Sequence, residues 1–267
     1  MKNNFFLKIK KGFFKLQPLT HKPKNQSSQI SDLFIWRETL EWQTYFDLID
    51  IPGLFDFASK NTNATLIIFD RSGKMLFNES IKFTSSQVTR VKISDYLKKI
   101  KKKDIGKYGT FAIFHSRIPE KVLKTNSYIT ERGYVSYLFK NSTIRSYVHG
   151  NLDAIALNAN LKLSFLAGTS FFYRQYKLQH QLQGPGIYEI AIINPTQKTK
   201  KFLFETKSLQ NKCLTKDYKF IKPGEMFLLP IKLNNKDSVR LIITSRIVMA
   251  RPLVFKVLDN EMNVFHG

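Results

Sequence analysis

The sequence predicts an all-β protein. The expected architecture is two tandem antiparallel β-sandwich units behind a short N-terminal amphipathic helix. Three observations carry this reading. Short apolar or alternating runs recur with turn residues between them, most densely from Ile187 to Val257. The order of these runs is similar in the two halves of the chain. Near the start, Phe5, Phe6, Ile9, Phe13 and Leu16 share one helical face, with Lys8, Lys11 and Lys15 opposite.

These observations divide the chain into residues 1–30 (helix and linker), 31–150 (first unit) and 151–267 (second unit). The linker, Gln17 to Gln29, is punctuated by Pro18 and Pro23. A short basic helix with Phe on its apolar side suits weak contact with an anionic membrane surface through residues 1–16. In the first unit, Leu33–Trp36 is a buried strand, and Glu38–Ile51 carries Trp42, Tyr45, Phe46 and Leu48. Ala64–Phe69 and Met75–Phe83 form a hairpin across Asp70-Arg71-Ser72-Gly73-Lys74. Val88–Ile93, Gly109–Arg117 and Tyr134–Phe139 follow, and Tyr147-Val148-His149-Gly150 closes the unit. The run Lys98 to Lys103 contains no aromatic residue, so it reads as a solvated loop or helix end.

The second unit opens with Leu152–Leu157, Leu161–Leu166 and Ser170–Tyr176, then turns at Gly184-Pro185-Gly186. Ile187–Ile193 and Phe202–Thr206 are strands, Phe220–Leu233 pivots on Lys222-Pro223-Gly224, and Val239–Val257 holds two more strands. Against the first half, Ala64–Phe69 aligns with Lys201–Glu205 and Tyr45–Pro52 with Tyr188–Pro195. Phe83–Ile93 aligns with Phe220–Ile231, and His115-Ser116-Arg117-Ile118 with Thr244-Ser245-Arg246-Ile247. An aromatic residue followed by His-Gly closes both halves, the second as Val264-Phe265-His266-Gly267.

The recurring order is a strand ending in Asn or Asp, a polar turn, a second strand, a Pro-Gly or Ser-Gln turn, and strands ending near Asp and in Ser-Arg. Over Ala64–Ile118 and Tyr188–Phe255 this resembles the sensory rhodopsin transducer family of small soluble β-sandwich proteins, here in two copies. The resemblance implies a non-enzymatic protein that self-associates and binds a partner or a small ligand or sugar. The doubling, the basic N-terminus and the long connection Tyr134–Gln183 depart from a single-domain transducer.

The formal charge is +23, from 43 basic and 20 acidic residues. Either the basic residues are spread over the surface, or they gather on one face and bind a polyanion. Lys dominates and Arg occurs singly, whereas phosphate recognition favours the Arg fork. Cys213 is the single cysteine, which excludes an internal disulfide and a Cys-based zinc site and fits a reducing compartment. No run reaches the ~18 apolar residues of a membrane span. The expected location is cytoplasmic, peripheral to the membrane through the N-terminal segment.

No phosphate loop, nucleophile elbow or His-Glu-x-x-His motif is present, and Ser116 and Ser245 lack an identifiable base. No catalytic residue, metal ligand set or cofactor is therefore assigned. Arg117 with Asp153, and Arg251 with Glu261, are candidate ion pairs. The ligand-binding candidates are Tyr134, Tyr147, His149, Asn151 and His266, at strand ends where a rigid β scaffold presents its loops. If the halves are copies, His149 and His266 converge. The leading expectation is a binding or scaffold protein for a glycan-type ligand or a protein partner, with self-association into a homo-oligomer. The alternatives are a metal-dependent enzyme of surface carbohydrate biosynthesis, which needs His115, His149 and His266 together, and a polyanion binder.

Overall fold

The computed structural model describes residues 23, 29–55, 63–83, 88–100, 105–116, 122, 124–125, 128–140, 142–248 and 251–267. The N-terminal helix expected over 1–16, most of the linker, Arg117 and the Lys101–Asp104 part of the basic run lie outside them. Among the described residues no helix is long and apolar enough to cross a membrane.

In chain order the strands of the first half are β1 (Gln29–Ser31), β2 (Phe34–Arg37), β3 (Trp42–Ile49), β4 (Asn63–Asp70), β5 (Met75–Lys82) and β6 (Val88–Lys92). β7 (Tyr108–His115), β8 (Thr130–Glu131), β9 (Tyr134–Phe139) and β10 (Ser146–His149) follow. The second half contains β11 (Ile155–Leu157), β12 (Leu163–Phe165), β13 (Thr169–Lys177), β14 (Leu182–Gln183), β15 (Gly186–Ile193) and β16 (Lys200–Lys207). It ends with β17 (Cys213–Ile221), β18 (Met226–Leu233), β19 (Ser238–Ile247), β20 (Leu253–Leu258) and β21 (Glu261–His266). Short helices α1 (Ile51–Phe55) and α2 (Ile93–Leu97) follow β3 and β6.

The fold is all-β, but it is not the expected pair of tandem sandwich units. Among the described residues the strands form five sheets, as many as the blades of a five-bladed β-propeller. Sheet I is β2-β7-β4-β5 and sheet II is β10-β9-β3-β6. Sheet III is β21-β20-β15-β18, and sheet IV is β13-β19-β16-β17 with β14 on β19. Sheet V is β12-β11-β1-β8.

Two findings overturn the division at Gly150. Sheet V takes β1 and β8 from before that residue and β11 and β12 from after it. One core cluster joins Phe34, Trp36, Phe46, Leu66, Phe111 and Tyr137 to Ala191, Met226, Leu253, Phe255 and Val264. The expected repeat of two self-contained units therefore does not hold as stated. What recurs is a sheet order: sheets I and IV share one succession of strands, and sheets II and III share another.

The apolar run Ile190-Ala191-Ile192 follows from the place of β15. Ile190 and Ile192 enter a core with Phe202, Phe204 and Ile243 of sheet IV, whereas Ala191 enters the core with sheets I and II. A strand covered on both faces loses the in–out alternation of a strand wetted on one side. Arg37, at the end of β2, ties this junction. Its guanidinium stands 4.0 Å from the Trp42 ring centre and 4.7 Å from that of Phe255, and it pairs with Glu189 of β15 at 2.7 Å. Trp36 and Phe69 are core residues, and the Trp36 indole N–H donates to the Phe69 carbonyl at 2.9 Å. Turn chemistry sets the β4–β5 hairpin: Asp70 Oδ1 accepts from the Ser72 and Lys74 N–H groups, and Gly73 takes φ +81°.

Candidate functional site

The site forms where β10 and β21 end. The two strands run close together, and the Ser146 hydroxyl accepts from Val264 N–H at 3.1 Å. After β10 the chain turns through Gly150, Asn151 and Leu152 over the buried Asp32. The Asp32 carboxylate accepts from the backbone N–H groups of Asn151 (2.6 Å), Leu33 (2.7 Å) and Leu152 (3.2 Å). Burial pushes its pKa up to about 6, against the lowering effect of those donors and of Arg132. Gly150 is needed for this close approach, since a Cβ there would lie 2.7 Å from Asp32 Oδ2 and 3.1 Å from the Phe34 ring.

The two histidines meet over this turn, their ring centres 5.1 Å apart. His266 Nε2 donates to the His149 carbonyl at 2.7 Å, and its Nδ1 accepts from the Asn151 amide at 2.9 Å. Both ring nitrogens are engaged, which fixes the neutral tautomer with the proton on Nε2. Burial lowers the His266 pKa, and the nearby Arg251 charge lowers it further. His149 Nδ1 donates to the Gly150 carbonyl at 2.6 Å, so its neutral ring presents Nε2 as an acceptor on the exposed side. Tyr134 lies directly across from His149 in the β9–β10 register, with the rings edge to face at 6.4 Å.

Arg132, Tyr134, His149, Gly150, Asn151 and Arg251 line an open recess of about 460 Å³. Beneath it a smaller, mostly apolar cavity of about 70 Å³ runs between Asp32, Phe34, Pro195, Leu253 and His266. The structure thus brings together Tyr134, His149, Asn151 and His266. Tyr147 shares the outward side of β10 with His149 but lies opposite Ser136, where its hydroxyl meets Arg145 at 3.4 Å. It does not line the recess.

Among solved structures, the chain is similar to the M60 catalytic domain with the CBM51-1 and CBM51-2 domains from Clostridium perfringens ZmpB. The identity is 10% over 89% of this chain and 34% of that chain, and the TM-score is 0.19. The chain thus spans about a third of that structure's length, and a likeness this weak carries no argument. No family model matches, and no curated protein matches.

Asp32 and Arg132 were not among the sequence-derived candidates, and Arg251 was named only as half of an ion pair with Glu261 near the site. Asp153, expected opposite Arg117, pairs with Arg132 at 2.6 Å. Glu261 sits at the far end of the β20–β21 hairpin from Arg251, because Leu253 pairs with His266 and Leu258 with Glu261. That register was the available signal: a hairpin closing on His266 must bring Arg251 beside it. His115 is elsewhere, buried in a 2.6 Å contact with Glu131 and stacked on Phe83. The three-histidine cluster that a metal enzyme needed is therefore not formed. Among the described residues no three His, Cys, Asp or Glu side chains gather as a metal site.

Chemically, the recess offers the flat ring of Tyr134, an acceptor nitrogen on His149, the amide oxygen of Asn151 and the guanidinium of Arg251. Arg132 is paired with Asp153 at 2.6 Å, and Arg251 stands beside His266, whose pKa its charge helps to lower. Such a set recognises hydroxyls and an anionic group.

Proposed function

We propose that the protein is a non-enzymatic binding protein that holds a glycan-type ligand in the recess between β10 and β21. The convergence of His149, Asn151 and His266 beside the exposed Tyr134 carries this reading. A sugar ring stacks its C–H face on Tyr134, a hydroxyl donates to His149 Nε2, a second hydroxyl donates to Asn151 Oδ1, and Arg251 donates to the remaining oxygens. Tyr134 is held by the β9 ladder and His149 by its bond to Gly150, so little ordering is needed on binding. The lone, exposed Cys213 is compatible with a reducing, cytoplasmic setting.

The test is a glycan-binding screen on the full chain, followed by calorimetric titration of the best binder. Tyr134→Ala and His149→Ala should each weaken binding about tenfold or more, with the fold unchanged by circular dichroism. Binding that survives both substitutions places the ligand elsewhere, and absence of any glycan ligand removes the reading.

A further inference from the structure

Sheet IV contributes no residue to the recess, and its outward face has a composition of its own. Alternation along β16 sends Phe202 and Phe204 into the core and Lys201, Leu203 and Glu205 outward. The register sets Lys201 opposite Phe220, and Leu203 opposite Tyr218 on one side and Thr244 on the other. Tyr173, Tyr218 and Phe220 remain 56%, 55% and 60% exposed. Isolated exposed aromatics need no explanation, but rings from the two outer strands, β13 and β17, that border one groove do. Lys201 Nζ stands 4.0 Å from the Tyr218 ring centre and the Arg246 guanidinium 4.6 Å from that of Tyr173. A shallow groove of about 540 Å³ runs past Tyr173, Lys201, Leu203, Lys216, Tyr218 and Thr244, with Asp217 at its rim. Of the carboxylates here, Glu205 is bridged by Lys216 at 3.2 Å, and Asp217 accepts from the Tyr218 N–H at 2.7 Å.

We infer that this face of sheet IV binds single-stranded nucleic acid. Rings on the outer strands β13 and β17 flank the cations Arg246 and Lys201 on the strands between them, and rings beside cations are what stacked bases on a phosphate backbone require. Each base offers a flat π-face to Tyr218, Phe220 or Tyr173. The phosphates between bases meet Lys201, Arg246 and the part of Lys216 that Glu205 leaves free. The net charge of +23 adds long-range attraction to the same polymer. A sulfated glycan would satisfy the cations, but it presents charged substituents rather than flat rings to the aromatics.

The experiment is fluorescence anisotropy of a short labelled oligothymidylate with the full chain across a salt series, with unlabelled heparin fragment as competitor. Binding should weaken steadily with salt. Tyr218→Ala and Tyr173→Ala should each cost about 5- to 100-fold. Lys201→Ala should lower the salt slope by about one. Lys232→Glu, on β18 of sheet III, serves as a charge control and should change the affinity far less than Lys201→Ala. The substituted aromatics are exposed, so a thermal melt should show all variants folded. No binding at low salt overturns the inference. So does oligothymidylate binding that ignores the aromatic variants and is displaced equally by heparin, which would mark a site for anionic glycans held by charge alone. A dimer that Tyr218→Ala dissolves, without oligonucleotide binding, would make the face a contact between copies of the chain.

Discussion

Strands β10 and β21 hold the same position in sheets of the same order, and each ends in a histidine followed by a glycine. Their histidines nevertheless do different work. Sheet II leaves one face open, so His149 stands exposed with only Nδ1 engaged, on the Gly150 carbonyl. Sheet III is covered on both faces, so His266 is half-buried with both ring nitrogens bonded. What covers the sheet decides whether the closing histidine receives a ligand or holds a turn in place. His149 is the binding group of the pair, and His266 the positioning one.

The largest effect belongs to the junction that creates this difference. Phe255 is fully buried, edge to face with Trp42 (5.4 Å) and Tyr137 (5.0 Å). Phe255→Ala should cost ~3–5 kcal/mol, from lost transfer energy and the cavity left behind. Urea unfolding followed by fluorescence and circular dichroism gives the value. Because one core spans both sides of Gly150, the wild type should unfold in a single transition by both probes. Two separate transitions would show that the halves are independent and that His266 is not covered in the way described.

The next test separates the histidines directly. His266→Ala removes two hydrogen bonds, leaving the Asn151 amide with the Arg251 carbonyl as its partner, and should cost ~1–2 kcal/mol. His149→Ala removes one bond at an exposed position and should cost under ~1 kcal/mol while abolishing most glycan affinity. Equal stability losses would erase the distinction between binder and holder.

Much of this arrangement was legible in the sequence. The alternation of β3, the turn at Asp70–Lys74 and the matching closures at His149-Gly150 and His266-Gly267 are all local signals. The sequence named Tyr134, His149, Asn151 and His266, but the reason it gave for the two histidines converging, a pair of copied halves, does not hold. The grouping of the sheets was not legible. Sheet V is assembled from pieces of two or three residues, Gln29–Ser31, Thr130–Glu131, Ile155–Leu157 and Leu163–Phe165, and the pairings of β1 with β8 and β11 span a hundred positions or more. Fragments so short carry no period, and their partners are chosen by tertiary packing. Asp32 was missed for a related reason. Its three backbone donors are two from a loop over a hundred residues away and one from its own neighbour. Tyr147 was misplaced because the face of a strand is readable from alternation, but its position along a recess is not.

The smallest expected effect is a pH dependence of stability with two opposing parts. Asp32 keeps a pKa of about 6 in the folded protein against 3.8 as an ordinary carboxyl. Between those values the folded state binds more protons than the unfolded one, so this group's contribution to stability falls as pH rises and is flat above about 6. Glu38, raised by burial from 4.5 to about 7, acts with the same sign over a slightly higher range. His266 has the opposite sign. Its folded pKa lies below 6.5, so the unfolded state binds the proton more tightly, and stability is lost as pH falls below that value. In the wild type the His266 trend opposes the two carboxyl trends below pH 6.5. His266→Asn should expose the decline caused by Asp32 and Glu38, so that the urea midpoint drops visibly as pH rises. Asp32→Asn should lower stability throughout by disturbing three backbone bonds, yet leave the rise due to His266 uncovered at the acid end. If His266→Asn leaves the shape of the wild-type curve unchanged, His266 is as open to water as His149, and the contrast between the two strand ends fails at its chemical root.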